Sequence, residues 1–189
     1  MSSRYLVVLA ASAGGIRAIN EILSNLPENF APPIAIVQHL NPNYPSCLAE
    51  ILNQHTPLSV KQAQESELLT TGVVYIAPPN LHLVVNSDGT LSLLNTEKVC
   101  RVRPAADMLF ESAAACFQER VIAVVLTGMD GDGTDGVVAV KRAGGKVIAQ
   151  DHVTSEFFSM PSNAIQTGCV DFILPLSEIA PILLELTAE

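Results

Sequence analysis

Three short stretches of this 189-residue chain carry side chains that could make and break bonds. The first is Ala11-Ser12-Ala13-Gly14-Gly15, a hydroxyl set among small residues. The second is Gln38-His39-Leu40, and the third is the aspartate run Asp130-Gly131-Asp132-Gly133-Thr134-Asp135-Gly136. Serine, histidine and aspartate are the parts of nucleophilic acyl transfer. The hydroxyl attacks, the imidazole takes its proton, and a carboxylate orients the imidazole and stabilises its charged form. Small neighbours around Ser12 let a substrate approach the backbone closely. A helix starting just after it would offer unpaired N–H groups to a developing oxyanion.

Each stretch also has a simpler use. Ser12 suits a helix N-cap, because the helical apolar spacing begins at Ile16. Ala10-Ala11-Ser12-Ala13-Gly14 only approximates the G-x-S-x-G elbow, with Ala in place of the first Gly. The stretch could equally cradle a phosphate, but the glycine motifs for that are missing. G-x-G-x-x-G fails because Ser12 stands within it and Ile16-Arg17 follow Gly14-Gly15. The second strand ends in Gln38-His39 rather than an acidic residue for a ribose, and no Gly-Lys-Ser/Thr occurs. Nucleotide binding is therefore disfavoured.

A histidine at a strand end commonly bonds only backbone. Of the four histidines, His55 lies in a polar segment, His82 in a hairpin and His152 in a surface loop. His39 alone ends a strand close in order to Ser12, which makes it the candidate base. The aspartate run resembles a calcium loop. An EF-hand needs Gly at its sixth position and Glu at its twelfth, and counting from Asp130 these are Asp135 and Lys141. A strand before the loop also contradicts helix-loop-helix. A non-catalytic ion-binding module stays as the competing reading. These residues alone do not say which of Asp130, Asp132 or Asp135 would partner the histidine.

The elements that must position these groups follow from periodicity. Residues 6–9 read as a strand, and Ile16, Ala18, Ile19, Ile22, Leu23 and Leu26 as one face of a helix. Short apolar runs at 34–37, 73–77, 121–126, 146–150 and 170–174 read as further strands, and the more polar 59–63 is added as a candidate one. Helices are expected over 45–52, 104–118, 137–143, 161–167 and 176–186, with 151–160 as loop. Residues 81–85 and 90–94 flank Asn86-Ser87-Asp88-Gly89, a hairpin signal. The alternation predicts an α/β fold: a doubly wound, mostly parallel sheet with helices on both faces, the antiparallel hairpin at a sheet edge. In such sheets functional groups gather beyond the C-terminal strand ends. Ser12, His39 and the Asp130/Asp132 pair all lie at such ends.

Composition bounds the rest. The length suits a single domain, and 49% hydrophobic against 15% charged residues indicates a folded core. A net charge of −9 argues against nucleic acid as a general partner. The four cysteines (Cys47, Cys100, Cys116 and Cys169) form no C-x-x-C pair and read as reduced core residues, in keeping with cytoplasm. No apolar run approaches the ~18 residues of a membrane span. Arg4, the apolar 5–9 and Ala11-Ser12-Ala13 loosely imitate a signal peptide. Cleavage after Ala13 would leave it shorter than the ~15–30 residues such peptides need.

Taken together, Ala11-Ser12-Ala13-Gly14-Gly15, Gln38-His39-Leu40, Leu126-Thr127-Gly128-Met129, Asp132-Gly133 and Ser159-Met160-Pro161 resemble one family. It is the catalytic domain of the chemotaxis protein-glutamate methylesterase, the CheB type. Tyr75-Ile76-Ala77-Pro78, Arg101-Val102-Arg103-Pro104 and Asp107-Met108-Leu109-Phe110 extend the resemblance over essentially the whole chain. The resemblance implies a triad of Ser12, His39 and Asp132, in a chain order unlike the chymotrypsin, subtilisin and α/β-hydrolase groups. It assigns the oxyanion to the backbone amides of Ala13 and Met129. It makes Asp130, at a position usually glycine in the family, extra to the triad. It puts Ala13 where the family more often has Thr. The implied activity is hydrolysis of glutamate methyl esters, with deamidation of glutamines, on the cytoplasmic helices of methyl-accepting chemotaxis receptors. Neither metal nor organic cofactor is required. Many members add an N-terminal receiver domain; here residues 1–189 are expected to be the methylesterase catalytic domain alone. A serine esterase or amidase of the same fold with another substrate is the nearest alternative.

Overall fold

A computed structural model describes residues 5–188; Arg4, the basic residue of the signal-like pattern, lies outside them. Seven strands form one parallel sheet: β1 (Leu6–Ala11), β2 (Ile34–Gln38), β3 (Ser59–Gln62), β4 (Val73–Ile76), β7 (Val121–Val125), β8 (Lys146–Gln150) and β9 (Phe172–Leu174). Their order across the sheet is β3-β4-β2-β1-β7-β8-β9. The helices are α1 (Gly15–Ser24), α2 (Leu48–Asn53), α3 (Ala106–Phe117), α4 (Thr134–Arg142), α5 (Ser159–Gln166) and α6 (Leu176–Thr187).

Alternate residues of β1 point to opposite faces, as a strand's period of two requires. Val7, Leu9 and Ala11 join the core under α1, α2 and α6, whereas Leu6, Val8 and Ala10 join the core under α3 and α4. All six are fully buried, which is why the strand reads as an uninterrupted apolar run. From β1 the chain winds first towards β2 and later crosses to β7 on the other side. The register pairs Ala11 with Gln38 and Ala10 with Val125, so the C-terminal ends of β1, β2 and β7 align. The switch point between β1 and β7 is where a doubly wound sheet opens its crevice.

Several expectations differ in detail; α4 begins at Thr134 rather than 137, and α5 at Ser159, inside the expected 151–160 loop. The hairpin forms, as β5 (His82–Val85) and β6 (Leu91–Leu94), but as a two-stranded sheet of its own rather than at an edge of the main one. β3 already pairs with β4 and occupies that edge. The hairpin's apolar residues Leu83, Val85 and Leu91 pack instead into the core with Leu109 and Phe110 of α3. The helix expected from residue 45 begins at Leu48, where the Ser46 hydroxyl accepts the Leu48 N–H at 3.1 Å. The cysteines are not core residues. Cys47 and Cys100 are exposed and Cys116 and Cys169 half-buried, all four as free thiols, because each sits in a loop or at an element's rim. Among the described residues, no helix is long and apolar enough to cross a membrane.

Candidate active site

Backbone hydrogen bonds tie the three strand ends into one rim. Ser12 N–H donates to the Thr127 carbonyl at 3.0 Å, and His39 N–H donates to the Ala11 carbonyl at 3.0 Å. The buried Gln38 amide donates to the carbonyls of both Ser12 (2.8 Å) and His39 (3.0 Å), so one side chain fixes the two loops that carry the serine and the histidine. Gly14, with φ of 76°, turns the chain from Ser12 into α1 and serves as that helix's N-cap. No side chain caps α1, so the Ser12 hydroxyl is not spent as a cap. Space here is tight: a Cβ on Gly15 would lie 2.1 Å from Gln38 Oε1, and one on Gly128 would lie 2.0 Å from Met160 Sδ and 3.0 Å from Ser12 Cβ. Among the described residues, the N–H groups of Ala13 and Met129 make no internal hydrogen bond, which leaves both available to an incoming anion.

The His39 ring meets two carboxylates. Nε2 lies 2.8 Å from Asp132 Oδ2 and Nδ1 lies 3.0 Å from Asp130 Oδ2. Asp132 is 2% exposed and directly precedes Gly133, which takes a φ of 94° to start α4. Its Oδ2 also accepts the Ala106 N–H at 2.5 Å and its Oδ1 the Asp107 N–H at 3.1 Å. The start of α3 thus holds the carboxylate with the donors that every helix leaves free at its N-terminus. Burial alone would lower the His39 pKa, but the hydrogen bonds and charges of Asp130 and Asp132 raise it to about 9. Burial works against the Asp130 carboxylate too, yet the His39 hydrogen bond and charge hold it below the usual range. Ser12 and His39 line one cavity of 790 Å³. Among the described residues, no hydrogen bond joins the Ser12 hydroxyl to the ring, whose two nitrogens are both engaged by aspartates. Asp130, expected to be extra to the triad, touches the same ring as Asp132.

A family model described as CheB methylesterase matches residues 7–183. The chain belongs to the CheB methylesterase family. A relative from Leptospira interrogans is 39% identical over 180 residues, covering 95% of this chain and 93% of its own. The Thermotoga maritima protein-glutamate methylesterase/protein-glutamine glutaminase is 41% identical over 187 residues, and the match spans 54% of its length. The crystal structure of the Thermotoga maritima CheB methylesterase catalytic domain superposes with a TM-score of 0.94. It shares 41% identity, over 98% of this chain and 100% of that one. The CheB-type fold and the hydrolase class of the chain follow.

Other residues of this CheB-type site were not singled out from sequence. Gln38 stands in the Gln38-His39-Leu40 motif, but the sequence gives it no role of its own. Asp107 is 4% exposed, and burial together with neighbouring Asp132 and Asp135 raises its pKa to about 6, against the lowering effect of its Gly136 N–H hydrogen bond. Thr127 donates to the Ala13 carbonyl at 2.9 Å and accepts the Phe157 N–H at 2.9 Å, fastening the Ser12–Gly14 turn to the 151–158 segment. His82 is fully buried between the Glu97 carbonyl and the Ala105 N–H, a structural histidine. His55 lines the same cavity as Ser12 and His39, and His152 packs edge-on against Phe158. Cys100, Asp107 and Asp132 bring possible metal ligands within 4.8 Å of one another. Their carboxylate oxygens are already accepting from His39, Ala106, Asp107 and Gly136, so the cluster is committed to holding the histidine and two helix starts. The Asp130–Asp132 loop is likewise tied to His39 rather than arranged as a calcium loop.

Proposed function

We propose that this chain is a serine hydrolase that removes the methyl group from glutamate γ-methyl esters, and deamidates glutamines, on the cytoplasmic helices of methyl-accepting chemotaxis receptors. The observation that carries the reading is the hydrogen bond between buried Asp132 and His39, which lines one cavity with Ser12, in a chain of the CheB methylesterase family. Residues 1–189 act as its catalytic domain, in the cytoplasm where those helices lie.

Neutral His39 takes the proton as Ser12 Oγ attacks the ester carbonyl carbon. Asp132 keeps the ring oriented and balances the imidazolium that forms. The tetrahedral oxyanion lies against the N–H groups of Ala13 and Met129. Both come from backbone, so the absence of a Thr hydroxyl at position 13 leaves this role intact. Collapse breaks the bond to the methoxy oxygen, which leaves as methanol with the proton from His39. A water then attacks the acyl carbon, gives its proton to His39, and Ser12 departs protonated to leave the glutamate carboxylate. A glutamine follows the same steps with ammonia as leaving group.

Ser12→Ala tests this. Methanol release from methylated receptor in membranes and hydrolysis of p-nitrophenyl acetate should both fall by about a thousandfold or more. Unchanged methanol release would overturn the role of Ser12. Wild-type hydrolysis of the small ester with none on receptor would instead favour a different carboxylic ester as substrate.

A further inference from the structure

A carboxylate accepts hydrogen bonds and donates none, while a neutral imidazole has a single N–H. His39 faces a carboxylate oxygen from each ring nitrogen, at 2.8 and 3.0 Å. Both contacts are hydrogen bonds only when the ring carries two N–H groups. Loss of either proton sets a lone pair against a carboxylate oxygen and must release one of the two aspartates.

The two are not equally held. The Asp132 side chain is fully buried and accepts from three donors. The Asp130 side chain is 32% exposed, and its Oδ2 meets His39 alone. Its carbonyl accepts from the Asn163 amide, so the loop backbone is held independently of the carboxylate, whose Oδ1 accepts the Asp132 N–H at 3.1 Å. We propose that Asp130 is a proton-linked latch: it occupies Nδ1 of the protonated His39, the nitrogen that the Ser12 hydroxyl needs, and lets go when that proton leaves to solvent. Asp130 is thus a positioning residue that acts through His39, and the inference rests on the serine–histidine reading above.

The surroundings assign this behaviour to the aspartates. Arg17 of α1 and His55 after α2 share the larger cavity with His39, and Lys98, Arg101 and Arg103 share a smaller one. The charged Arg17, Lys98, Arg101 and Arg103 oppose a charge on the ring. The anionic groups on its other side are Asp130, Asp132 and, behind Asp132, Asp107. With a His39 pKa of about 9, only about one ring in a hundred is neutral at pH 7. Free enzyme should therefore gain activity as pH rises towards 9.

The test is Asp130→Asn, which keeps an acceptor for the Asp132 N–H but removes the charge, with Asp130→Gly beside it. The pH profile of p-nitrophenyl acetate hydrolysis is measured together with an NMR titration of the His39 ring. The expected result is a His39 midpoint lower by about one to two pH units, and a rate at pH 7 higher by about ten- to fiftyfold. A midpoint that stays near the wild-type value overturns the latch, as does a lower midpoint without a gain at pH 7. Wild-type protein gives a second test that needs no variant. At pH 7 the ring nitrogen spectrum should show both nitrogens protonated, and a single neutral tautomer would refute the proposal. The ring titration does not depend on Ser12, so it is read in the Ser12→Ala protein as well. Failure of the nucleophile assignment and failure of the latch then give different results.

Discussion

Replacing Asp132 with Asn removes one charge and leaves the shape unchanged, which makes its effect calculable from the contacts. The carboxylate accepts three hydrogen bonds through two oxygens: His39 Nε2 and the Ala106 N–H at Oδ2, and the Asp107 N–H at Oδ1. An amide has one acceptor oxygen. With that oxygen towards His39 and Ala106, the NH₂ group points at the Asp107 N–H; turned over, it points at Ala106 and the histidine. Either way a buried donor loses its acceptor, at a cost of about 1–3 kcal/mol. For a chain of this size the corresponding fall in Tm is roughly 2–12 °C. Catalysis should suffer more, because the forming imidazolium loses its counter-charge and the ring its orientation: a loss on the order of 10³–10⁴ in kcat. Removing Asp132 also lowers the His39 pKa, which by itself would increase the neutral fraction at pH 7. The comparison must therefore use the alkaline plateau of the p-nitrophenyl acetate profile, with thermal melts alongside. A plateau within tenfold of wild type would refute the reasoning. So would equal effects of Asp132→Asn and Asp130→Asn, which should change the rate at pH 7 in opposite directions.

Two further variants probe the support of the site. Gly128→Ala places a Cβ 2.0 Å from Met160 Sδ and 3.0 Å from Ser12 Cβ. It should destabilise by about 1–3 kcal/mol and slow ester hydrolysis by displacing Ser12; Met160→Ala added to it should recover part of the Tm, and no recovery would contradict the contact. Asp107 tests linkage. Its folded pKa is raised to about 6, so the native state holds the proton more tightly than the unfolded chain, and stability is lost as pH rises from about 4 through 6. Asp107→Asn keeps an acceptor for the Gly136 N–H and should raise stability at pH 8 by on the order of 1–3 kcal/mol, seen as a higher Tm, with little gain at pH 4. Melts showing the same difference at both pH values would exclude the buried charge as the cause.

Much of the architecture was legible in local pattern. Continuous apolar runs located the central strands β1, β2, β7 and β8, because strands buried on both faces leave few polar positions to blur the signal; the edge strand β3, Ser59-Val60-Lys61-Gln62, carries a much weaker one. The Asn86–Gly89 turn located the hairpin, but not its place, since a hairpin's partner is chosen by which apolar face remains uncovered. The cysteines misled for a similar reason. Apolar neighbours in sequence say little about burial at the ends of elements, where Cys47 and Cys100 lie exposed.

For the site, the chemical types of Ser12, His39 and the Asp130/Asp132 pair and their positions at strand ends could be read directly, because a parallel sheet brings the residues after its strands to one rim; the choice of Asp132 came from the family resemblance. What the tertiary structure alone decided is how those groups are engaged. Gln38, at the end of β2, braces the carbonyls of two loops, and the start of α3 holds Asp132 from a distance of 25 residues in sequence. Asp130 reaches the free nitrogen of His39 because β2 and β7 end on the same rim, 91 residues apart along the chain. Hydrogen-bond geometry and burial depend on distances that folding sets, and no spacing within a linear sequence contains them.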